Sequence, residues 1–331
     1  MPHGFAGILG TGRAVPERVL TNADLEKMVD TSDEWIVTRT GIKERRIASP
    51  EEAASDLGYQ AALKALEASK VKASELDLII VATITGDMPF PATACIIQGR
   101  LGATKAAAFD LAAGCSGWVY SLEVAQSMVK AGYQRVLVIG VDVLSKITDY
   151  TDRSTCVLFG DGAGAAVLGP VKEGYGVLAS DLGADGLGAD YLKLPVGGSR
   201  CPSQTVAIDD PGRYLKMSGN EVFKFAVRAM GDSTQRVLEK ANLTGEDISW
   251  FIPHQANIRI IKSAASRFNI PEDRIYINVD RYGNTSAASI PIALDEVVET
   301  GKVQDGDLIL VVGFGAGLTW GSAILRWGGV E

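Results

Sequence analysis

The sequence predicts an α/β protein built from two similar halves, and three observations carry that expectation. Strand-like apolar runs alternate with amphipathic helix-like ones, the pattern of sheets covered by helices. One stretch of the chain matches a later one without a gap. The length, 331 residues, exceeds one ordinary domain. Two halves, 1–172 and 173–331, follow as the expected organisation.

From the amino terminus, Thr31-Ser32-Asp33-Glu34 reads as a capping box opening a helix, which sets Trp35 and Arg39 four residues apart on one face. A helix over 56–69 precedes a strand over 76–83. The run 106–111 is short and apolar and predicts a buried strand. The helix 115–130 follows, with Val119, Leu122, Ala125 and Val129 at helical spacing and Gly132 just past its end. A strand over 135–141 comes next. Gly160, Gly162 and Gly164 lack dinucleotide-fingerprint spacing and a following phosphate lysine, so they predict tight packing at the centre of the fold. The second half repeats the alternation: helix 219–240, strand 249–252, helix 257–268, strand 274–278, helix 286–299 and strand 307–312.

The internal match runs from Leu66-Glu67-Ala68 through Leu76-Asp77-Leu78-Ile79-Ile80 onto Leu238-Glu239-Lys240 through Ile248-Ser249-Trp250-Phe251-Ile252. Both copies read as a helix end, a polar turn, an acidic residue and a buried strand. Continued along the chain, the match places Cys115 and Asn284 at equivalent corners. His254 falls just after the strand that corresponds to 79–83. A doubled fold brings all three to the seam between the halves, beyond one end of the sheets, where α/β proteins bind ligands.

A composition of 47% hydrophobic and 22% charged residues supports a sizeable core and excludes a disordered chain. The net charge of −8 argues against general nucleic-acid binding. Cys95, Cys115, Cys156 and Cys201 have no metal-ligand or disulfide-framework spacing and read as reduced thiols. Met1-Pro2-His3-Gly4-Phe5 shows no signal-peptide pattern, and the apolar runs are broken well short of a membrane span. The expectation is a cytoplasmic protein with no membrane association and no metal.

Cys115 stands in Ala113-Gly114-Cys115-Ser116-Gly117, between a strand and a helix. A thiol there faces the positive end of the helix dipole, which favours thiolate, and flanking glycines permit a sharp turn close to a substrate. His254, in Pro253-His254-Gln255-Ala256-Asn257, is one of only two histidines, the other being His3. Asn284 lies in Tyr282-Gly283-Asn284-Thr285-Ser286-Ala287-Ala288-Ser289, again at a turn into a helix. Each taken singly suits a structural role; together at strand-end corners they compose a nucleophile with two polar partners.

With these pieces in place the chain resembles the β-ketoacyl-acyl-carrier-protein synthase III family of the thiolase-like superfamily. The matching segments are Asp33-Glu34-Trp35-Ile36 with Arg39-Thr40-Gly41-Ile42, the Cys115 turn, Phe159-Gly160-Asp161-Gly162-Ala163-Gly164-Ala165, the His254 and Asn284 turns, and Gly313-Phe314-Gly315-Ala316-Gly317-Leu318-Thr319-Trp320-Gly321. The resemblance implies a five-layered α-β-α-β-α fold, a homodimer, and a decarboxylating Claisen condensation of a short acyl-coenzyme A with malonyl-acyl-carrier protein. No cofactor is implied beyond the coenzyme A thioester substrate. Cys115 would carry the acyl group. His254 and Asn284 would hold the enolate oxygen, and the backbone N–H groups of Cys115 and Ala316 the thioester oxygen. Relatives usually have glycine where Ala316 stands; a backbone donor survives that change if φ stays negative.

The family pattern also implies that Trp35, Arg39, Arg153 and Asn257 bind coenzyme A, and that Phe90 closes the acyl pocket, often across the dimer. An aromatic there favours a short primer such as acetyl. In the helix after His254, Ile258, Ile261, Ala265 and Phe268 predict the buried stripe, while Arg259, Lys262, Ser266 and Arg267 face outward. Gln255, Arg259, Lys262 and Arg267 are the expected docking set for an acidic carrier protein.

Residue counts separate the rivals. A chain-elongating synthase uses Cys-His-His, and His254 is the only well-placed histidine. A thiolase needs a second cysteine near its carboxy terminus, and none follows Cys201. No position matches the catalytic glutamate of hydroxymethylglutaryl-CoA synthase. A Cys-His-Asn condensing enzyme of polyketide or other secondary metabolism is the nearest alternative. A Cys-His-Asn hydrolase is more distant, since the papain-like signature around the cysteine is absent.

Overall fold

The structure is a computed structural model that describes residues 4–330; His3, with the start of the amino-terminal reading, lies outside the described residues. In chain order the framework comprises β1 (Ala6–Ala14), α1 (Asp33–Thr40), α2 (Ala54–Ser69), β2 (Leu78–Ala82), α3 (Thr93–Leu101), β3 (Ala107–Leu111), α4 (Gly117–Lys130), β4 (Val136–Val143) and β5 (Asp161–Pro170). It continues with β6 (Gly176–Ala184), α5 (Gly219–Ala241), β7 (Trp250–Pro253), α6 (Ile258–Arg267), α7 (Ser289–Glu299), β8 (Leu308–Gly315) and β9 (Thr319–Arg326).

Two large sheets form, ordered β1-β5-β4-β2-β3 and β7-β8-β9-β6, beside two small two-stranded ones. Their strands alternate side chains between two buried faces. Leu78, Ile80, Val136 and Val138 face α4 and α7, which lie between the sheets. Ile79, Val81, Leu137 and Ile139 face α2 and α3 on the outside. In the second sheet Ile309 and Val311 point to the same central helices, whereas Leu310 and Val312 point to α5 and α6. The result is five layers, helix-sheet-helix-sheet-helix. Strands buried on both faces must be apolar at every position, and this is why β2, β4 and β8 read as continuous hydrophobic runs. Each such side chain contributes about 1.5–3 kcal/mol on burial.

The internal match is visible in the strand pairing. β2 runs parallel to both β3 and β4, and β7 runs parallel to β8. The counterpart of β3 is reduced to one parallel bridge, Phe251 with Ile275. The expected strand 274–278 is therefore a correction: Glu272–Arg274 forms a 3-10 turn, and Arg274 donates to the carbonyls of Glu246 and Ile248. β3 is a second correction. It is an edge strand with Phe109 exposed, not a buried one.

Four strands of the two large sheets have no counterpart in the sequence expectation, β1, β5, β6 and β9, and neither do the short strands Val19–Thr21, Glu44–Arg46, Leu192–Lys193 and Lys216–Met217. β1 and β5 are glycine-rich because helix backbones press on them. A Cβ on Gly12 would strike the main chain of Ala61 and Ala65 in α2, and one on Gly164 would lie 2.7 Å from Ile292 N in α7. Gly162 and Gly164 thus form the packing surface between β5 and α7, while Gly160, just before β5, is pressed by the main chain of Tyr282, the tight central packing expected of the three.

Candidate active site

Cys115 sits in a 3-10 turn, Gly114–Ser116, between β3 and α4 rather than on the first turn of α4 itself. The turn needs Gly114, whose φ is +52°. The side chain is buried, and burial pushes its thiol up to about 12; the neighbouring Ser286 side chain offsets part of that rise, and buried Asp142 adds to it. The expectation of a depressed thiol is therefore overturned. A helix terminus supplies about 0.3–1 kcal/mol, less than one pKa unit, whereas full burial shifts a group by several.

His254 follows β7, and its main-chain N–H donates to Val312 O at 2.8 Å. Its Nδ1 lies 2.6 Å from Ser289 Oγ, while Nε2 is buried with no hydrogen-bond partner. Phe314 meets the ring edge-on at 5.2 Å between centroids. Burial drives the imidazole down to about 3, so the ring is neutral at physiological pH.

Asn284 is locked by its backbone and by its side-chain oxygen. Its N–H donates to Leu158 O at 2.8 Å, its carbonyl accepts from Gly160 N at 3.0 Å, and Oδ1 accepts from Ser286 N at 2.9 Å. The hydrogens left to offer are those of Nδ2. Behind this loop Glu296 of α7 accepts from Tyr282 Oη at 2.7 Å, Asn278 Nδ2 at 2.8 Å and Arg281 Nη2 at 2.9 Å.

Cys115, His254, Asn284, Phe314 and Gly315 line one cavity of about 90 Å³. A second, apolar cavity of about 200 Å³ continues from Cys115 past Ile84, Leu144, Ile147, Leu192 and Leu215. The first space holds the unpartnered His254 Nε2 and the Asn284 side chain, and the second has almost no polar wall. An acyl chain on Cys115 fits the second, and a developing oxyanion fits the first. Ala316 has no left-handed φ, so its N–H remains usable, while Gly317 beside it is at +75°.

The remaining expected residues divide. The Arg39 guanidinium lies 4.5 Å from the Trp35 ring centroid and that of Arg153 lies 5.1 Å away. The helix is capped on one side only, by Ser32 Oγ accepting from Trp35 N; Thr31 Oγ1 is buried without a partner, so the four residues make no capping box. Asn257 is spoken for at both ends: Nδ2 donates to Arg39 O and Oδ1 accepts from Arg259 N. It ties the Trp35 helix to α6.

Phe90 is 83% exposed and lines neither cavity of its own chain. Gln255 is buried, its amide bonded to Pro253 O, Tyr276 O, Asn278 N and Val279 N, so it cannot belong to a docking surface. On α6 the buried stripe is Ile260, Ile261, Ala264 and Ala265, with Ile258 and Phe268 half-buried. Ile258 turns aside to pack on Gly41, the cap of α1. Arg259, Lys262 and Arg267 are exposed as expected, although Arg267 pairs with Asp232 at 3.0 Å. Ser289, Ser286 and Asp142 were missed. The two serines lie inside the Asn284 motif, but nothing in the sequence gives their orientation.

A doubled α/β fold that buries a cysteine, a neutral histidine and an asparagine around one cavity defines a thiolase-like condensing enzyme. Two family models match the chain: 3-oxoacyl-[acyl-carrier-protein] synthase III over residues 109–186, and its C-terminal model over 238–327. The β-ketoacyl-[acyl-carrier-protein] synthase III of Caldanaerobacter subterraneus subsp. tengcongensis is 59% identical over 97% of this chain and 98% of its own. The crystal structure of the Thermus thermophilus synthase III is 54% identical, covers 98% of this chain and 100% of that one, and superposes with a TM-score of 0.92. The priming β-ketosynthase of the R1128 polyketide pathway is more distant at 37% identity, with 99% and 98% coverage and a TM-score of 0.91. The chain belongs to the β-ketoacyl-[acyl-carrier-protein] synthase III family. It is an acyltransferase of fatty-acid biosynthesis, of the type that makes the initiating condensation without a bound cofactor. Among the described residues, no helix is long and apolar enough to cross a membrane.

Proposed function

We propose that the protein condenses a short acyl-coenzyme A, acetyl in the simplest case, with malonyl-acyl-carrier protein, giving 3-oxoacyl-acyl-carrier protein, coenzyme A and CO₂. The observation that carries this reading is the single cavity shared by Cys115, His254 and Asn284. Cys115 Sγ attacks the thioester carbonyl, the oxygen takes hydrogen bonds from the N–H groups of Cys115 and Ala316, and the thiol proton leaves with coenzyme A. The malonyl thioester then loses CO₂, and the electron pair left behind forms an enolate. Its oxygen rests on His254 Nε2 and Asn284 Nδ2, each donor lowering the barrier by about 3 kcal/mol. The enolate carbon attacks the acyl thioester, and Cys115 departs as thiolate and is reprotonated.

Trp35 with Arg39 and Arg153 supplies a flat, cationic clamp for the nucleotide end of coenzyme A, with Asn257 positioning it. Arg259 and Lys262 make the carrier-protein ridge, with Arg267 at its paired end. Residues 1–172 and 173–331 are the two halves, since each sheet draws its strands from one of these ranges. The protein works as a homodimer: β3 leaves a sheet edge unpaired, and Phe90 is exposed outside both cavities of its own chain, so both are free to meet a second copy. Coenzyme A thioesters and a reduced catalytic thiol assign it to the cytoplasm. Incubation with radiolabelled acetyl-coenzyme A, then malonyl-acyl-carrier protein, tests the reading: label should enter at Cys115 and leave as 3-oxoacyl product. A hydrolase would release free acetate instead.

A further inference from the structure

A neutral imidazole carries one N–H, and which nitrogen bears it decides whether His254 offers the cavity a donor or a lone pair. The ring is neutral here because it is buried. Its tautomer, not its charge, is the variable that matters. The enolate reading requires the hydrogen on Nε2; a lone pair there would repel the oxygen it is meant to hold.

The surroundings of Nδ1 choose between the two. Ser289 Oγ lies 2.6 Å from Nδ1, and the same oxygen accepts the Gln255 main-chain N–H at 3.3 Å. Ser289 is buried, and among the described residues its hydroxyl has no other hydrogen-bond acceptor. If Nδ1 carried the hydrogen, Ser289 Oγ would receive two N–H groups and its own hydrogen would be stranded in the interior. If Nε2 carries it, every group is satisfied in sequence. Gln255 N–H donates to Oγ, Oγ–H donates to Nδ1, and Nε2–H is left facing the cavity that also holds Cys115 and Asn284. A stranded buried hydroxyl hydrogen biases the tautomer ratio by roughly tenfold or more. The unpartnered Nε2 is then a donor kept for a substrate oxygen.

We propose that Ser289 is a positioning residue for the condensation, holding His254 in the Nε2–H tautomer by donating its hydroxyl hydrogen to Nδ1. The inference rests on the reading of His254 as an enolate donor. It also gives the Asn284 loop a second task. Ser286 N–H orients one donor and Ser289, three residues on, orients the other, so a single segment sets both.

The test uses full-length protein labelled with ¹⁵N-histidine. The chain has two histidines, and His3→Ala assigns the spectrum. In the wild type, His254 Nδ1 should appear as an unprotonated, hydrogen-bonded nitrogen and Nε2 as protonated. In Ser289→Ala the two forms should mix. Decarboxylation of malonyl-acyl-carrier protein should then fall on the order of tenfold, as for other histidine-orienting partners, while acyl-Cys115 formation stays within about twofold. A wild-type spectrum with hydrogen on Nδ1 overturns the proposal even if the variant folds poorly. So does a Ser289→Ala protein that keeps one Nε2–H form and undiminished decarboxylation. Undiminished decarboxylation in His254→Ala would instead remove the enolate role of His254 and leave the tautomer assignment standing.

Discussion

Gly315 lies so close to the amide of Cys115 that a methyl group built on it would stand 2.5 Å from Cys115 N and 3.1 Å from Ser116 N. On the other side, a methyl on Gly114 would stand 2.9 Å from Ala316 N. The end of β8 and the nucleophile turn are thus fitted backbone to backbone, one from each sheet. Only residues without side chains permit it. Gly315→Ala should push the two turns apart, lowering acyl transfer by about 10²-fold, the scale of losing one oxyanion donor, and destabilising the fold by about 1–3 kcal/mol. Mass spectrometry of the acyl-enzyme and thermal unfolding read the two effects. A wild-type acylation rate would remove the backbone oxyanion assignment.

Protonation of Cys115 gives a second prediction. With the thiol held up to about 12, the thiolate fraction of the free enzyme grows about tenfold per pH unit throughout the neutral and mildly alkaline range. Alkylation of Cys115 by iodoacetamide should therefore rise steadily from pH 7 to about pH 10. A plateau below about pH 8 would mean a thiol activated before substrate binds, and the burial argument would fall.

His254 makes a stability prediction with the opposite pH sense. Its folded value, about 3, lies below the ordinary 6.5. Between these values the unfolded chain binds a proton that the folded one refuses, so stability falls as pH falls below 6.5. Each unit costs about 1.4 kcal/mol from this group alone. His254→Asn should unfold less steeply with acid than the wild type between about pH 6 and pH 4, measured by denaturant titration at each pH. Parallel curves would count against a buried neutral ring.

Much of this was legible in the sequence and some was not, for identifiable reasons. Doubly buried strands announce themselves as apolar runs, so β2, β4 and β8 were readable. The corners holding Cys115 and His254 lie beyond β3 and β7, and that of Asn284 in the 282–289 turn; they were legible from their glycines and polar residues and from the internal match. β1 and β5 were not, because close helix packing demands glycine where a strand signal needs β-branched residues. Gln255 looked like a surface amide, but three of its four partners, Tyr276, Asn278 and Val279, belong to a segment that meets it only on folding. Phe90 matched a family position whose partner would lie on another chain. The Cys115 thiol was misjudged because a helix dipole can be read from sequence and burial cannot.

Asn284 supports a separation of half-reactions. Its Oδ1 is held by Ser286 N, so the atom lost to chemistry in Asn284→Ala is the Nδ2 donor toward the enolate. The variant should retain acyl-Cys115 formation and lose malonyl decarboxylation by about 10²–10³-fold. Equal losses in both steps would contradict the division of labour.

The ridge on α6 supplies the last prediction. Arg259 and Lys262 are exposed on the helix that follows His254, whereas Arg267 is already paired with Asp232. An acidic carrier protein would be steered by the first two, and rim charges act chiefly on encounter, in a salt-dependent way. Arg259→Glu and Lys262→Glu should each raise KM for malonyl-acyl-carrier protein several-fold at low salt and progressively less at high salt. KM for acetyl-coenzyme A should move little, because that substrate is proposed to contact Trp35, Arg39 and Arg153. Arg267→Glu should behave differently: it sets like charges together at Asp232, so it should lower thermal stability with a smaller effect on carrier-protein KM. Carrier-protein and acetyl-coenzyme A KM values, measured for all three variants at two ionic strengths, decide it. If both KM values rise together, or neither moves, α6 presents only a solvated face and the carrier protein docks elsewhere.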